Sequence, residues 1–162
     1  MTLSRMDEEE SPLKLSDFAV SEAVEETAES FRDFARSQGH SLELAIVPGL
    51  TYCGDEYAVR QLVSILLDNA VKYALPETPI RFVLEKGKRG VVQRCSNACT
   101  PLAEGETEKL FDRFYRSDQA RSADGSFGVG LSIARSIAEG HHGSIRAQCP
   151  QPGEIVFTAQ LR

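Results

Sequence analysis

The chain has 162 residues, which suits one domain with its own core. Hydrophobic residues make up 41% and charged residues 26%, so wholesale disorder is excluded. A net charge of -6 argues against a nucleic-acid partner, whose affinity rests on a basic face. The longest apolar runs fall far short of the roughly 20 residues that span a bilayer, and no early stretch reads as a signal peptide.

In chain order, residues 1–12 (MTLSRMDEEESP) are charged and have little to bury, so they read as a linker or the end of a removed element. The domain is expected over residues 13–162. Leu13 to Phe18 alternates apolar and polar, as a short strand does. From Ser21 the period becomes helical, with Ala23, Ala28, Phe31, Phe34 and Ala35 apolar until Gly39 stops it. Ser41 to Val47 reads as a strand closed by Pro48-Gly49. Asp55 is a natural N-cap for a helix over 56–74, with an apolar stripe of Val59, Leu62, Val63, Leu66, Ala70 and Tyr73. Ile80 to Leu84 and Val91 to Cys95 read as strands around a turn at 87–90. A short helix is expected over 106–114, and another from Gly128 to Glu139. Two last strands, 144–148 and 154–160, turn at Pro150 to Gly153. The pattern predicts an α+β two-layer sandwich, with helices on one face of a largely antiparallel sheet.

The four cysteines are Cys53, Cys95, Cys99 and Cys149. Cys95 and Cys99 are four apart, but no second pair at ligand spacing accompanies them, and structural zinc needs four well-spaced ligands. Reduced thiols are the expectation.

Three features exceed a structural role. Asn69 falls in an apolar stripe, where an amide is either satisfied by backbone or turned to a ligand. Lys72, one turn beyond Asp68, reads in isolation as solvated. The stretch 125–140 places Gly125, Gly128 and Gly130 before and into a helix, where bare backbone N–H groups and the helix dipole suit a phosphate. Neither the dinucleotide fingerprint nor the phosphate loop fits: a polar loop, 117–126, replaces the preceding strand, and Leu131-Ser132 replaces Lys-Ser/Thr. That loop is expected to be mobile without ligand. Phe111 and Phe114 read equally as core of a short helix, with Arg113 and Arg116 on its surface.

Taken in order, these features resemble the catalytic ATP-binding domain of bacterial sensor histidine kinases, in the superfamily of gyrase, heat-shock chaperone and mismatch-repair ATPases. LLDNAVKYA (66–74) resembles the N box, FDRFYR (111–116) the F box and GSFGVGLSIARSIAEGHHG (125–143) the G2 box. The resemblance implies the Bergerat fold, a mixed, mostly antiparallel sheet backed by about three helices. It implies ATP and Mg²⁺ as ligands, with Asn69 on the metal, Lys72 near the phosphates and Tyr73 lining the pocket. It places Arg116 on the terminal phosphate, and Phe111, Gly125, Gly128, Val129, Gly130 and Leu131 in the nucleotide-binding set. Asn69, Lys72 and Arg116 would be the catalytic residues.

The G1 box departs from the family pattern. Counting back from Phe111, Asn97 in SNACTPL (96–102) stands where the family has an adenine-reading Asp, and Cys99 and Pro101 replace two glycines. An Asn carbonyl still accepts the adenine amine, more weakly than a carboxylate. Ile65 stands where related ATPases carry a water-activating acid, which disfavours ATP hydrolysis.

None of His40, His141 and His142 has the setting of a phosphoacceptor. The resemblance therefore implies a phosphoacceptor on a separate dimerisation and histidine-phosphotransfer domain, with a response regulator downstream. It also implies a monomeric cytoplasmic fragment with no direct membrane contact, from a homodimeric, membrane-anchored parent. Two alternatives stay open. One is a nucleotide-free regulatory module of the same fold; the other is a stand-alone serine kinase of the anti-sigma-factor type.

Overall fold

The computed structural model describes residues 13–102, 105–112 and 130–162. Five strands form one sheet: β2 (Leu42–Ile46), β4 (Ile80–Gly87), β5 (Gly90–Ala98), β7 (Glu154–Leu161) and β6 (Ser144–Gln148), in that spatial order. The β2–β4 pair is parallel and the other three pairs are antiparallel. A separate two-stranded sheet joins β1 (Ser16–Phe18) to β3 (Tyr52–Gly54). The main helices are α1 (Val20–Glu29), α3 (Glu56–Tyr73) and α5 (Gly130–Gly140), with short α2 (Arg32–Ser37) and α4 (Glu106–Lys109). Helix α3 packs between α1 and α5. This is the two-layer α+β architecture expected, with a mixed, mostly antiparallel sheet.

Cross-strand rows explain the layer. Ile80, Asn97 and Ile155 sit side by side, followed by Phe82, Cys95 and Phe157, then Leu84, Gln93 and Ala159. All nine are buried. The alternate residues include Glu85 and Arg94, which form an ion pair on the other face. Alternation thus turns one face inward and leaves charges outside, apart from Val92, which is buried between Val91 and Gln93.

Three local expectations are corrected. The stretch expected as one helix from Ser21 breaks at Ser30 and Phe31. There the Ser30 hydroxyl donates to Thr27 O at 2.6 Å and the Phe31 N–H to Ala28 O at 3.0 Å, a tighter turn that ends the ladder. The first strand begins at Ser16 rather than Leu13. Strand β3 had no signal in the sequence; it is three residues long and exists by pairing with β1, far upstream.

Asp55 caps α3 as expected, its carboxylate accepting from the Ala58 N–H at 3.1 Å. The helix buries Val59, Leu62, Val63, Leu66, Leu67, Ala70 and Val71. Asn69 and Tyr73 are half-buried, so Asn69 lies at the margin of the stripe rather than within it. That geometry removes the need for a backbone partner in the core. The short helix ends at Lys109 rather than Phe114, and residues 113–114 lie outside the described residues.

Gln93 is a cost within the core. It is fully buried, and neither its amide nitrogen nor its oxygen has a partner among the described residues. An unpaired buried amide forfeits its hydration, so Gln93→Leu should stabilise the domain by about 1–3 kcal/mol. A higher urea midpoint at unchanged slope would register the gain; a lower midpoint would contradict it.

Cys95 gives a stability dependence on pH. Burial pushes its thiol up to about 12, and Tyr52 is likewise pushed up to about 12 by burial, helped by the neighbouring Cys53. The folded state therefore holds these protons after the unfolded chain has released them. Their contribution is full below the unfolded values and is lost as pH rises towards 12. Unfolding free energy should fall between about pH 9 and pH 11, and less steeply in Cys95→Ala. Equal slopes in the two proteins would show that Cys95 does not drive the loss.

Candidate functional site

The site grows from the end of β5. Asn97 is buried, and its Nδ2 donates to the carbonyl of Ala98 at 2.8 Å. That carbonyl also accepts the N–H of Leu75 at 3.1 Å, just past the end of α3. One oxygen thus joins the last turn of α3 to the Asn97 side chain. With Nδ2 so engaged, the amide oxygen is the acceptor left for a ligand. A second link from β5 to α3 is the Cys95 thiol, whose sulfur lies 3.7 Å from Leu66 O.

Helix α5 closes the other side. A Cβ added to Gly130 would meet Ile65 of α3 at 3.5 Å, so the first residue of α5 rests one turn before Asn69. Leu131, next along, is buried against the same core.

Two residues not singled out as positioning groups lock the far ends of α3 and α5. His141 is buried, with Nδ1 donating to Ile137 O at 2.9 Å and Nε2 accepting the Asp55 N–H at 3.1 Å. A backbone carbonyl on one nitrogen and an N–H on the other dictate the neutral tautomer with the proton on Nδ1. The N-cap of α3 is thereby tied to the C-terminus of α5. Tyr52 lies tilted against the His141 ring, with centroids 5.8 Å apart, and donates its hydroxyl to Arg162 O at 3.1 Å. The adjacency of two histidines behind a helix was legible, but nothing in the order of residues pointed to Asp55. With both ring nitrogens engaged, His141 has no free nitrogen to accept a phosphoryl group.

The remaining expected residues divide. Lys72 is at the surface end of α3 and, rather than being merely solvated, forms an ion pair with Asp68 at 3.3 Å. Tyr73 ends α3, two residues from the Leu75 N–H that binds Ala98. Phe111, read both as core and as part of the nucleotide-binding set, is buried with its ring edge-on to Phe157 at 5.9 Å and the Arg135 guanidinium 6.0 Å from its centroid. It is core, because the β7 face beside it offers aromatic contact. Arg116, Gly125, Gly128 and Val129, with the polar loop 117–126, lie outside the described residues.

Cys99 replaces a glycine of the expected G1 box. It is buried, its N–H donates to Gly153 O at 2.9 Å, and burial, with Cys149 and Glu154 nearby, pushes its thiol up. The segment after Asn97 is therefore held to the β6–β7 turn. All four cysteines are free thiols.

Comparison with known proteins decides the family. The sequence model described as "histidine kinase-, DNA gyrase B-, and HSP90-like ATPase" matches residues 54–162. The chain belongs to this ATPase family. It is 32% identical to the sensor protein DltS of Streptococcus agalactiae over 147 residues, which cover 91% of this chain and 37% of that protein. The chain thus spans little more than a third of the length of that relative. Among solved structures, the nucleotide-free catalytic domain of histidine kinase ThkA matches with a TM-score of 0.76 at 22% identity, covering 92% of this chain and 98% of that one. Full-length ShkA in complex with AMPPNP matches with a TM-score of 0.78 at 19% identity, covering 98% of this chain and 33% of that one. The ATPase domain is thus of the kind found in sensor histidine kinases, and its fold is theirs. No helix among the described residues is long and apolar enough to cross a membrane.

Proposed function

We propose that this ATPase domain binds Mg-ATP between the end of β5, helix α3 and the start of α5, and serves as the phosphoryl donor of a sensor histidine kinase. The observation that supports this most is the Ala98 carbonyl, which holds Asn97 and the end of α3 in one hydrogen-bonded junction. Asn97 Oδ1 would accept the adenine amine, and Tyr73 would line the base pocket. Asn69, a single neutral oxygen donor on the same helix, fits Mg²⁺, which keeps most of its ligands as water and phosphate. Lys72 would lean from its Asp68 partner towards the phosphates. Arg116, Gly125, Gly128, Val129, Gly130 and Leu131 would complete the phosphate side.

ATP supplies the γ-phosphoryl group when bound. It would pass to a ring nitrogen of a histidine on a separate dimerisation domain: a P–N bond forms, the bond to the β,γ-bridging oxygen breaks, and ADP leaves. A response regulator would then take the phosphoryl group. Such transfer needs positioning and charge neutralisation more than covalent help from the protein. The chain would act as a cytoplasmic monomeric module of a homodimeric, membrane-anchored parent. Ile65, apolar and packed at Gly130, would offer no base to activate water, which favours transfer over hydrolysis.

Calorimetric titration with Mg-AMPPNP should give a dissociation constant in the micromolar range or weaker, about -7 kcal/mol or smaller in magnitude. Asn69→Ala should abolish the metal dependence of that binding. Radiolabelled ATP should leave this chain unlabelled, yet label an added dimerisation domain bearing a His-Glu/Asp-x-x-x-Pro helix. Absence of heat at millimolar nucleotide would favour the nucleotide-free module instead, and label on His141 or His142 would contradict transfer to a separate domain. Label on a serine of a partner protein would point to the stand-alone kinase.

A further inference from the structure

At the opposite end of β5 from Asn97 lies a cavity of about 290 Å³ with a different chemistry. Asn97 is five strand positions from Val92, the nearest lining residue of β5, about 17 Å at the usual rise. Its walls are the β4–β5 turn, Gly87 to Arg89, and the end of the chain, Gln160 to Arg162, over a floor of Val91 and Val92. Three of the lining side chains are cations, Lys88, Arg89 and Arg162, and none is a carboxylate. None of the three forms an ion pair with a described residue. In a chain of net charge -6, three cationic side chains set against the single terminal carboxylate of Arg162 leave a local surplus of positive charge.

The cavity is built rather than incidental. Gly90 has φ +105°, and a Cβ there would strike the Leu161 carbonyl, so only glycine brings the turn against the end of β7. Arg162 is held by its N–H to His141 O at 3.1 Å, and its carbonyl accepts the Tyr52 hydroxyl at 3.1 Å. The size falls at the lower end of small-molecule sites, and the apolar floor would cover a ligand's carbon skeleton.

We propose that this cavity is a second anion site, taking a small molecule that carries two or three carboxylate or phosphate groups. It is independent of nucleotide binding, since Asn97 and α3 contribute nothing to its walls. The surplus of positive charge favours a ligand with more than one anionic group, and a macromolecule would exceed the hollow.

The test is a titration of the isotope-labelled chain, followed by amide resonances, with citrate in one arm and fructose 1,6-bisphosphate in the other. Sodium chloride at matched ionic strength is the control. Binding at about 1 mM or tighter, with shifts confined to 87–92 and 160–162, is expected in at least one arm. The responding arm identifies carboxylate or phosphate as the preferred group. In the double variant Lys88→Ser, Arg89→Ser, both exposed on the turn, affinity should fall about tenfold or more while AMPPNP binding stays unchanged. The proposal is overturned if neither ligand shifts those amides at about 10 mM, if chloride reproduces the shifts, or if the double variant binds as before.

Discussion

Gly143→Ala is expected to cost about 3 kcal/mol or more, a large part of a domain's stability. Gly143 is the residue after the C-terminal cap of α5. Its N–H donates to Ala138 O at 2.8 Å and the His142 N–H to Glu139 O at 3.0 Å, while His142 takes the left-handed conformation at φ +61°. This pair of bonds ends the helix and turns the chain straight into β6. A Cβ on Gly143 would strike the carbonyl of Gln160, a β7 residue that pairs with Ser144 at the start of β6 and with Val92 of β5. A backbone oxygen held in a ladder cannot step aside as a side chain can. Gly49→Ala serves as the comparison: its φ is +77° but a Cβ there meets nothing within 4 Å, so only the backbone strain of about 1–2 kcal/mol applies. Thermal or urea unfolding of both variants checks the ordering, and a smaller loss for Gly143→Ala than for Gly49→Ala would refute it.

Asn97→Leu is expected to weaken Mg-ATP binding by roughly 1–3 kcal/mol, because the adenine amine would lose its acceptor inside the pocket. That is about a fivefold to 150-fold rise in dissociation constant. Asn97→Asp should keep or tighten the affinity, since a carboxylate is the stronger acceptor. The same change also deletes the Nδ2 donor that reaches Ala98 O at 2.8 Å, and sets a carboxylate against that carbonyl. The Asp variant should therefore be less stable, by about 1 kcal/mol from the lost bond alone, while binding at least as well. Calorimetry for affinity and urea unfolding for stability separate the two effects. Equal affinity in all three proteins would mean that Asn97 does not read the base.

Much of the layer was legible from local pattern. The Asp55 cap, the period of α3, the turn at 87–90 and the closing hairpin each rest on residues close in sequence, where cap chemistry and side-chain alternation act directly. Asn97 was located by counting from Phe111, and the structure adds what the counting lacked, namely the carbonyl that orients its amide. The break at Ser30 was missed because apolar residues on both sides keep a helical period across the turn. Phe111 shows the limit of such reading: its ring packs edge-on to Phe157, a contact that no spacing along the chain encodes.

Composition placed this chain among small acidic domains without a nucleic-acid face, and the order of its motifs named the family before any coordinate was needed. Local chemistry is enough for such conclusions, because charge totals, caps and motif spacing are properties of neighbours. The tertiary structure alone placed β3 against β1, set Gly130 upon Ile65, and tied Asp55 to His141 across 86 positions. It also turned the acidic total into a local exception, gathering Lys88, Arg89 and Arg162 around one cavity. Those are long-range pairings, and loop closure leaves them to be settled by packing over the whole core rather than by any stretch of sequence.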